Sequence, residues 1–161
     1  IELVKKYPFP KGRLYEDLAV MYKIFGDCEN IAYGDKDIYL YRQREGAITR
    51  QTITKKHLYG VKAAQDQIDY CEQYYPTVVP AAIFRYAFKI MQYIPGLLDG
   101  SEESRRTFRY LQIKMKKYAK DLLKDPYVGA GAKAKCLAIC AGYEPTKALW
   151  TAQMKIGGKV F

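Results

Sequence analysis

The sequence has little of the residue types that metal and disulfide sites require. Its 161 residues contain one histidine, His57, and four cysteines, Cys28, Cys71, Cys136 and Cys140. Four scattered cysteines are too few to form a disulfide scaffold in a chain of this length. Cys136 and Cys140 lie four residues apart on a predicted helix, but zinc would need two further ligands. We therefore interpret the cysteines as small buried hydrophobic residues in a reducing cytosol.

The sequence also lacks a hydrophobic run long enough for a membrane-spanning helix. The most apolar stretch, residues 77–94, is interrupted by Arg85, Lys89 and Gln92, whereas a spanning helix needs about 18 or more uncharged apolar residues. The chain begins with Ile and shows no signal peptide, which suggests an excised fragment. The prediction is a cytoplasmic protein, with peripheral contact at the inner face of the membrane left open.

The charge of the chain is unevenly distributed. The net charge is +10, from 27 basic and 17 acidic side chains. Residues 1–50 carry 9 basic and 8 acidic side chains, which leaves 18 and 9 for residues 51–161, a balance of +9. This contrast predicts two segments with different roles, residues 1–50 and residues 51–161.

Hydrophobic periodicity predicts a mainly α-helical fold that contains one small β-hairpin. Apolar spacing over residues 14–25 predicts a first helix, and alternation over residues 29–33 and 38–42 predicts two strands joined by a turn. From Thr54 onward, proline and glycine punctuation predicts helices near residues 59–75, 81–94, 101–124 and 132–141, with a last helix beginning near Thr146. Ser101 is the predicted N-cap of the longest helix. Residues 51–161 are thus predicted to form a basic, bundle-like helical domain.

An adjacent carboxylate pair, Glu16 and Asp17, follows a loop that contains Pro8, Pro10 and Gly12. Proline fixes φ and glycine permits strained dihedrals, so the loop is predicted to have a defined shape. The pair would then lie in the first turn of the predicted helix. Acidic residues there stabilise a helix by about 0.3–1 kcal/mol without any chemistry, and spacing alone favours this interpretation. The alternative is that one carboxylate is a general base facing a cleft.

A second group of candidate residues lies around Gly46. Arg42, Arg44 and Arg50 flank this glycine, and guanidinium groups can donate paired hydrogen bonds to a diphosphate. A solvated basic loop explains the arginines equally well. Asp35-Lys36-Asp37 matches the Asp-x-Asp pattern that often holds a metal ion. We interpret the two aspartates as turn residues at the hairpin tip rather than as metal ligands.

Taken in order, these motifs resemble the end of the catalytic domain of bacterial family-2 glycosyltransferases, which have the GT-A nucleotide-sugar fold. The resemblance covers residues 8–50, about a quarter of the chain. It rests on four motifs: Phe9-Pro10-x-Gly12, Tyr15-Glu16-Asp17, Tyr39-x-Tyr41-Arg42-Gln43-Arg44 and Gly46-x-Ile48-Thr49. The helix and hairpin would then complete a GT-A α/β domain in the full-length protein. Beyond Thr54 the only likeness is that such enzymes often carry a helical tail.

The resemblance implies a role for each matching residue. Asp17 would be the catalytic base of an inverting transfer, and Glu16 the alternate base or a neighbour that binds the acceptor. Arg42 and Arg44 match positions near the departing diphosphate, and Tyr41 and Gly12 match substrate-binding positions.

The resemblance further implies the partners and the cofactor. The full-length enzyme would use a nucleotide-sugar donor, a glycan or lipid-linked acceptor, and Mg or Mn. Ala47 departs from the serine common in the family. No nucleotide-binding unit and no credible metal-binding Asp-x-Asp precede Tyr7, so this fragment is expected to lack the donor-binding half, to have no site for the metal and to be inactive alone.

Two other functions remain as alternatives. One is a non-catalytic module in which residues 51–161 dock on an anionic membrane surface or a partner protein. Its mark would be an exposed apolar face on residues 81–94 or 149–161 flanked by lysines. The other is nucleic-acid binding, suggested by the basic charge and the 16 tyrosines. Because the tyrosines fall mostly on apolar helix faces, they are predicted to be core residues, and no nucleic-acid partner is expected.

Overall fold

The computed structural model describes residues 2–36, 38–40 and 55–155, without the side chains of the lysines at 55 and 155. Within these residues the chain is mainly helical and contains no strand. The α-helices are α1 (Glu2–Lys6), α2 (Met21–Gly26), α3 (Leu58–Tyr74), α4 (Val79–Tyr93), α5 (Glu102–Lys124), α6 (Ala130–Ala141) and α7 (Tyr143–Lys155). A short 3-10 segment, Lys55–His57, precedes α3. A second, Pro76–Val78, precedes α4, and a third, Ile94–Leu97, follows it.

Helix α4 is the centre of the helical bundle. It packs against α3, α5 and α6, while α7 packs mainly against α6. Its residues Tyr86, Ile90 and the following Ile94 are completely buried, and Trp150 of α7 belongs to the same hydrophobic core. The predicted helical bundle over the second part of the chain is therefore confirmed.

Helix α5 is the element that the sequence predicts most closely. The Ser101 side chain accepts a hydrogen bond from the backbone N–H of Ser104 at 3.2 Å, as expected of an N-cap. Glu102 and Glu103 lie in the first turn, where the helix dipole favours negative charge. Residues on one stripe of the helix are buried, namely Phe108, Leu111, Met115, Tyr118 and Leu122.

The first predicted helix begins later than expected. Residues 14–20 form consecutive turns, and α2 starts only at Met21. The carbonyl of Asp17 accepts hydrogen bonds from Val20 at 3.1 Å and from Met21 at 2.9 Å, so Asp17 precedes the helix rather than lying within its first turn. Tyr15 has a φ of 62°, which an α-helix cannot accommodate, so the helix cannot begin at Leu14 as the spacing predicts.

The predicted β-hairpin is wrong for the part of it that the structure describes. Residues 29–36 and 38–40 form no strand, and the rest of the second predicted strand lies outside the described residues. Alternating side chains are necessary for a half-buried strand, but an isolated two-stranded hairpin has marginal stability in water. Among the described residues no surface covers the alternating side chains, since Tyr33, Ile38 and Leu40 are more than 90% exposed.

The N-terminal part of the chain packs on the bundle through α3. The Tyr75 hydroxyl donates a hydrogen bond to the carbonyl of Gly26 at 2.7 Å, and the rings of Tyr22 and Tyr70 meet edge to face at 5.1 Å. Residues 2–28 therefore share an interface with the helical region, although the sequence predicts separate roles for the two.

The predicted burial of the tyrosines and cysteines holds for some of them. Tyr86, Tyr93 and Tyr118 are buried, as are Cys71 and Cys136, and all four cysteines are free thiols. Other tyrosines are exposed at the surface, including Tyr33, Tyr59, Tyr74, Tyr75, Tyr110 and Tyr127. In the part of the chain that the structure describes, no helix has both the length and the apolar character needed to span a bilayer.

Candidate functional site

The residue before the carboxylate pair, Tyr15, is inserted against the bundle. Its φ of 62° is the one positive value among the described non-glycine residues, and a bulky residue seldom adopts this region without support from its surroundings. The support comes from α4, because the Lys89 ammonium lies 3.9 Å from the centroid of the Tyr15 ring. Tyr15 is partly buried and packs against the hydrophobic core. The backbone that carries Glu16 and Asp17 is therefore anchored to the helices.

A cluster of aromatic side chains completes the anchor. The Tyr15 ring centroid lies 6.3 Å from that of His57 and 6.4 Å from that of Tyr93, and the His57 and Tyr93 rings are themselves 6.2 Å apart. His57 is only 3% exposed. The single histidine of the chain thus belongs to the surface on which the N-terminal loop is seated.

Gly60 of α3 makes this close approach possible. A Cβ atom at this position would lie 2.6 Å from the Tyr93 hydroxyl, 2.9 Å from Cε of Lys89 and 2.9 Å from Cδ2 of Tyr15. Real Cβ atoms do not approach other atoms so closely. Glycine at residue 60 is therefore required by the packing of the other three side chains rather than by backbone conformation.

Electrostatics link Lys89 to the carboxylate pair. Burial lowers the pKa of Lys89 from its usual value, the neighbouring Arg85 lowers it further, and the charge of Asp17 acts in the opposite direction. The Lys89 ammonium also donates a hydrogen bond to the side-chain oxygen of Gln92 at 3.3 Å. The charge of Asp17 therefore acts on the partly buried ammonium of Lys89.

The predicted site residues in the N-terminal loop are placed as follows. Glu16 and Asp17 have exposed side chains. Gly12 adopts a φ of 74°, and a Cβ atom at this position would meet nothing within 4 Å, so glycine is needed here for the turn and not for space. Whether the pair faces a cleft stays a prediction. Tyr41, Arg42 and Arg44 lie outside the described residues.

A small depression lies beside Tyr15. Its volume is about 20 Å³, roughly that of one small molecule such as water, and its walls include Arg13 and Tyr59. The Arg13 guanidinium stacks on the Tyr59 ring at 5.5 Å from its centroid. Lys62 and Asp66 also line it and form an ion pair at 3.1 Å. The depression can therefore place an arginine beside a small polar group, but it is too small for a sugar.

Sequence reasoning misses the residues that hold the acid pair in place. In the sequence, Lys89 stands out only as part of a polar edge on a predicted helix, and His57 only as a possible metal ligand. Gly60 gives no turn signal because it lies within a helix. The one available signal is the spacing of Arg85, Lys89 and Gln92, which interrupts an otherwise apolar helix. Of these three, Lys89 contacts Tyr15, whereas Arg85 and Gln92 are exposed.

Helix α4 also has an exposed apolar pair within residues 81–94, one of the two stretches considered for a docking surface. Phe84 and Phe88 are 37% and 41% exposed, and their ring centroids are 6.2 Å apart. They line a groove of about 270 Å³ that also includes Lys135 and Trp150. Of the second stretch named for this role, residues 149–161, the last six lie outside the described residues.

The described residues offer no metal site, since no three or more His, Cys, Asp or Glu side chains among them are grouped closely enough to hold an ion. Comparison with protein families, with curated proteins and with solved structures gives no match to this chain. The function of the site is therefore inferred from its own residues.

Proposed function

We propose that residues 8–50 form the acceptor side of the catalytic domain of an inverting, GT-A type glycosyltransferase. In this proposal the full-length protein transfers a sugar from a nucleotide-diphosphate donor to a hydroxyl acceptor during the assembly of a bacterial surface polysaccharide or exopolysaccharide. The donor-binding half is contributed by parts of the enzyme other than this chain, which is inactive alone. The order and spacing of the four motifs between Phe9 and Thr49 support the proposal.

The observation that carries the proposal is the anchoring of Tyr15. A general base must be held within hydrogen-bond reach of the hydroxyl that it deprotonates, and rigid support improves that positioning. Tyr15 directly precedes Glu16 and Asp17, has a strained φ of 62°, and is fixed by the Lys89 ammonium at 3.9 Å. Backbone strain of this kind costs about 1–3 kcal/mol and clusters at functional sites. Simple stabilisation of a helix start would need neither the strain nor the anchor.

The proposed chemistry assigns one step to each group. Asp17 accepts the proton of the acceptor hydroxyl while that oxygen attacks the anomeric carbon. The bond between this carbon and the diphosphate oxygen breaks, and the nucleoside diphosphate leaves with the electron pair. Assistance by a general base contributes about 10²–10⁴-fold to the rate. Arg42 and Arg44 would stabilise the charge that builds up on the departing diphosphate.

The divalent metal of such enzymes does not fit the described part of this chain. Those residues contain no group of three metal-ligating side chains, so no step of the chemistry above passes through a metal. Mg²⁺ or Mn²⁺ would be bound together with the donor in the full-length enzyme.

The exposed apolar side chains after α2 are consistent with a larger catalytic domain. Ile31, Ile38 and Leu40 are 65%, 93% and 95% exposed, and Tyr33 is 94% exposed. Apolar side chains at such exposure are suited to packing against another structure. In the proposed enzyme the remainder of the GT-A domain covers these side chains.

The proposal is tested by changing Asp17 in the gene of the bacterium that makes the protein. Asp17→Asn keeps the size of the side chain but removes the base, so polysaccharide output should fall by about 10²-fold or more. Glu16→Gln should have a smaller effect if Glu16 only binds the acceptor. The cell-associated and secreted polysaccharide is measured by its sugar content, and immunoblotting verifies that each variant protein accumulates normally.

Asp35→Asn serves as the matched control, because Asp35 is an exposed carboxylate outside the acid pair. It should leave polysaccharide output unchanged. Normal output from Asp17→Asn and from Glu16→Gln, at normal protein levels, would contradict the proposal.

A further inference from the structure

The outer surface of α5 carries a straight row of basic residues around one isoleucine. Arg109, Ile113, Lys116, Lys120 and Lys124 are spaced by four, three, four and four residues. At 100° per residue they lie within an arc of about 80°, and they extend for about 22 Å along the helix. We call these five residues the α5 ridge.

The ridge is held away from the core and presented to solvent. The opposite face of α5 is buried in the bundle through Leu111, Met115 and Leu122, so the direction of the ridge is fixed by packing. Its four basic side chains are exposed, and Ile113 is 64% exposed at the centre of the row. The helix therefore offers a rigid, convex surface rather than a flexible basic tail.

The charge of the ridge is not neutralised by nearby carboxylates. None of its four cations forms an ion pair within the part of the chain that the structure describes. The next basic residue toward the N-terminus, Arg106, is paired with Glu102 and so limits the ridge at that end. The one acidic residue between Arg109 and Lys124 is Asp121, which lies about 100° around the helix from Lys120.

We propose that the α5 ridge docks this protein on an anionic lipid bilayer. Four uncompensated cations on a rigid surface are complementary to a layer of negatively charged headgroups, to which each nearby Lys or Arg contributes about fivefold in partitioning. The inference goes beyond glycosyl transfer and does not depend on it, since it uses no residue of the acid pair.

The apolar centre of the ridge favours a bilayer over a nucleic acid. An exposed isoleucine gains by entering the boundary between headgroups and acyl chains, but it has no favourable contact with a phosphate backbone. Tyr110 lies beside the ridge, is 47% exposed, and has an amphipathic ring suited to the same boundary. Single-stranded nucleic acids instead require a basic groove with stacked aromatic rings, whereas the ridge is convex.

Vesicle co-sedimentation tests the proposal directly on the 161-residue protein. Binding should be measurable with mixed phosphatidylcholine–phosphatidylglycerol vesicles, weaken as salt is raised, and be lost with pure phosphatidylcholine. Changing Lys116→Glu and Lys120→Glu together should weaken binding more than about tenfold. The matched control changes Lys5→Glu and Lys11→Glu, two exposed lysines of the N-terminal segment, and alters the net charge by the same amount with little effect on binding. Circular dichroism verifies that both double variants are folded.

A tryptophan probe then identifies the face that contacts the lipid. Ile113→Trp should show a blue shift of its emission when anionic vesicles are added, because the ring enters the headgroup boundary. The native Trp150 is only 1% exposed and supplies a constant background. Leu137→Trp, at an exposed position on α6, should show no shift.

Three results would overturn the proposal. One is equal binding to charged and uncharged vesicles, and another is equal loss of binding in the ridge variant and its control. The third is tighter binding to a mixed-sequence oligonucleotide than to anionic vesicles at physiological salt, which would assign the ridge to nucleic acid.

Discussion

The Lys89 ammonium lies 3.9 Å from the centroid of the Tyr15 ring, so the central helix of the bundle holds the residue directly before Glu16 and Asp17. Cation–π contacts contribute about 0.5–2 kcal/mol, with the larger values at sites shielded from water. This contact is partly shielded from water, because Lys89 and Tyr15 are both partly buried, and the burial lowers the pKa of Lys89. The acid pair and the helical bundle are therefore coupled, and a change in the packing of the bundle should alter the position of the pair.

Gly60→Ala tests that coupling from a distance. Alanine in the interior of a helix is normally more stable than glycine by about 0.5–1 kcal/mol. At residue 60, however, the added carbon would lie 2.6 Å from the Tyr93 hydroxyl and 2.9 Å from Tyr15 Cδ2. We expect the substitution to lower the free energy of unfolding by about 1–3 kcal/mol, the usual cost of overpacking. Urea denaturation followed by circular dichroism measures this difference.

Gly131→Ala provides the comparison for that experiment. Gly131 lies in α6, and a Cβ atom there would meet nothing within 4 Å, so stability should be unchanged or slightly higher. If Gly60→Ala and Gly131→Ala have the same effect, the tight packing around Tyr15 does not exist in solution.

The sequence predicts the parts of the fold that depend on local signals. Ser101 and the glutamates after it define the start of α5 because capping and the helix dipole act within one turn. The start of α2, which is the first predicted helix, is predicted too early because the spacing from Leu14 onward matches a helix. There, the contact of Tyr15 with Lys89, 74 residues later in the chain, outweighs local helical spacing. Such a contact leaves no periodic signal.

The same distinction applies to the candidate site. The acid pair is found from its motif, but Lys89, His57 and Gly60 act through packing between elements far apart in sequence. The described part of the predicted hairpin is wrong for a related reason, since alternation identifies side chains suited to a sheet but cannot supply the surface that covers them. Within the part of the chain that the structure describes, no such surface covers Tyr33 and Leu40, which are 94% and 95% exposed.

Tyr86→Phe should stabilise the protein. The Tyr86 side chain is completely buried, and its hydroxyl has no hydrogen-bond partner among the described residues. Removing a buried polar atom without a partner avoids a desolvation cost of about 1–3 kcal/mol. The ring itself would remain in its edge-to-face contact with Tyr118, at 5.4 Å between centroids. We expect the melting temperature to rise, as measured by differential scanning calorimetry.

The neighbouring tyrosine should respond in the opposite direction. The Tyr118 hydroxyl accepts a hydrogen bond from the side-chain amide of Gln65 at 2.6 Å, so Tyr118→Phe should cost about 0.5–1.5 kcal/mol. A lower melting temperature for Tyr86→Phe than for the unmodified protein would show that the Tyr86 hydroxyl has a partner in solution.

Stability should fall at alkaline pH, in part because of Tyr22. Burial raises the pKa of Tyr22 to about 12 from its usual value of 10. The folded protein therefore retains this proton more strongly than the unfolded chain does. The contribution of Tyr22 to stability is complete below about pH 10 and is lost as the pH rises toward about 12.

Tyr22→Phe should make the stability less dependent on pH in that window. The free energy of unfolding is measured with urea at about pH 9 and about pH 11, and the drop between them should be smaller in the variant than in the unmodified protein. Tyr127→Phe is the control, because Tyr127 is 96% exposed and its removal should not change the drop. Identical drops in all three proteins would mean that Tyr22 titrates normally in the folded state.

The 161-residue chain should bind nucleoside diphosphates weakly by itself. The GT-A resemblance implies that the donor is held by nucleotide-binding strand–helix units, and the sequence contains no such unit before the acid pair. Ligands of open α/β sheets bind at the carboxyl ends of strands, and the described residues include no strand. Isothermal titration with UDP and Mn²⁺ should therefore give no saturable heat in the micromolar range. A micromolar dissociation constant would mean that this chain holds the donor, in which case the diphosphate site would have to be sought around the basic residues near Gly46.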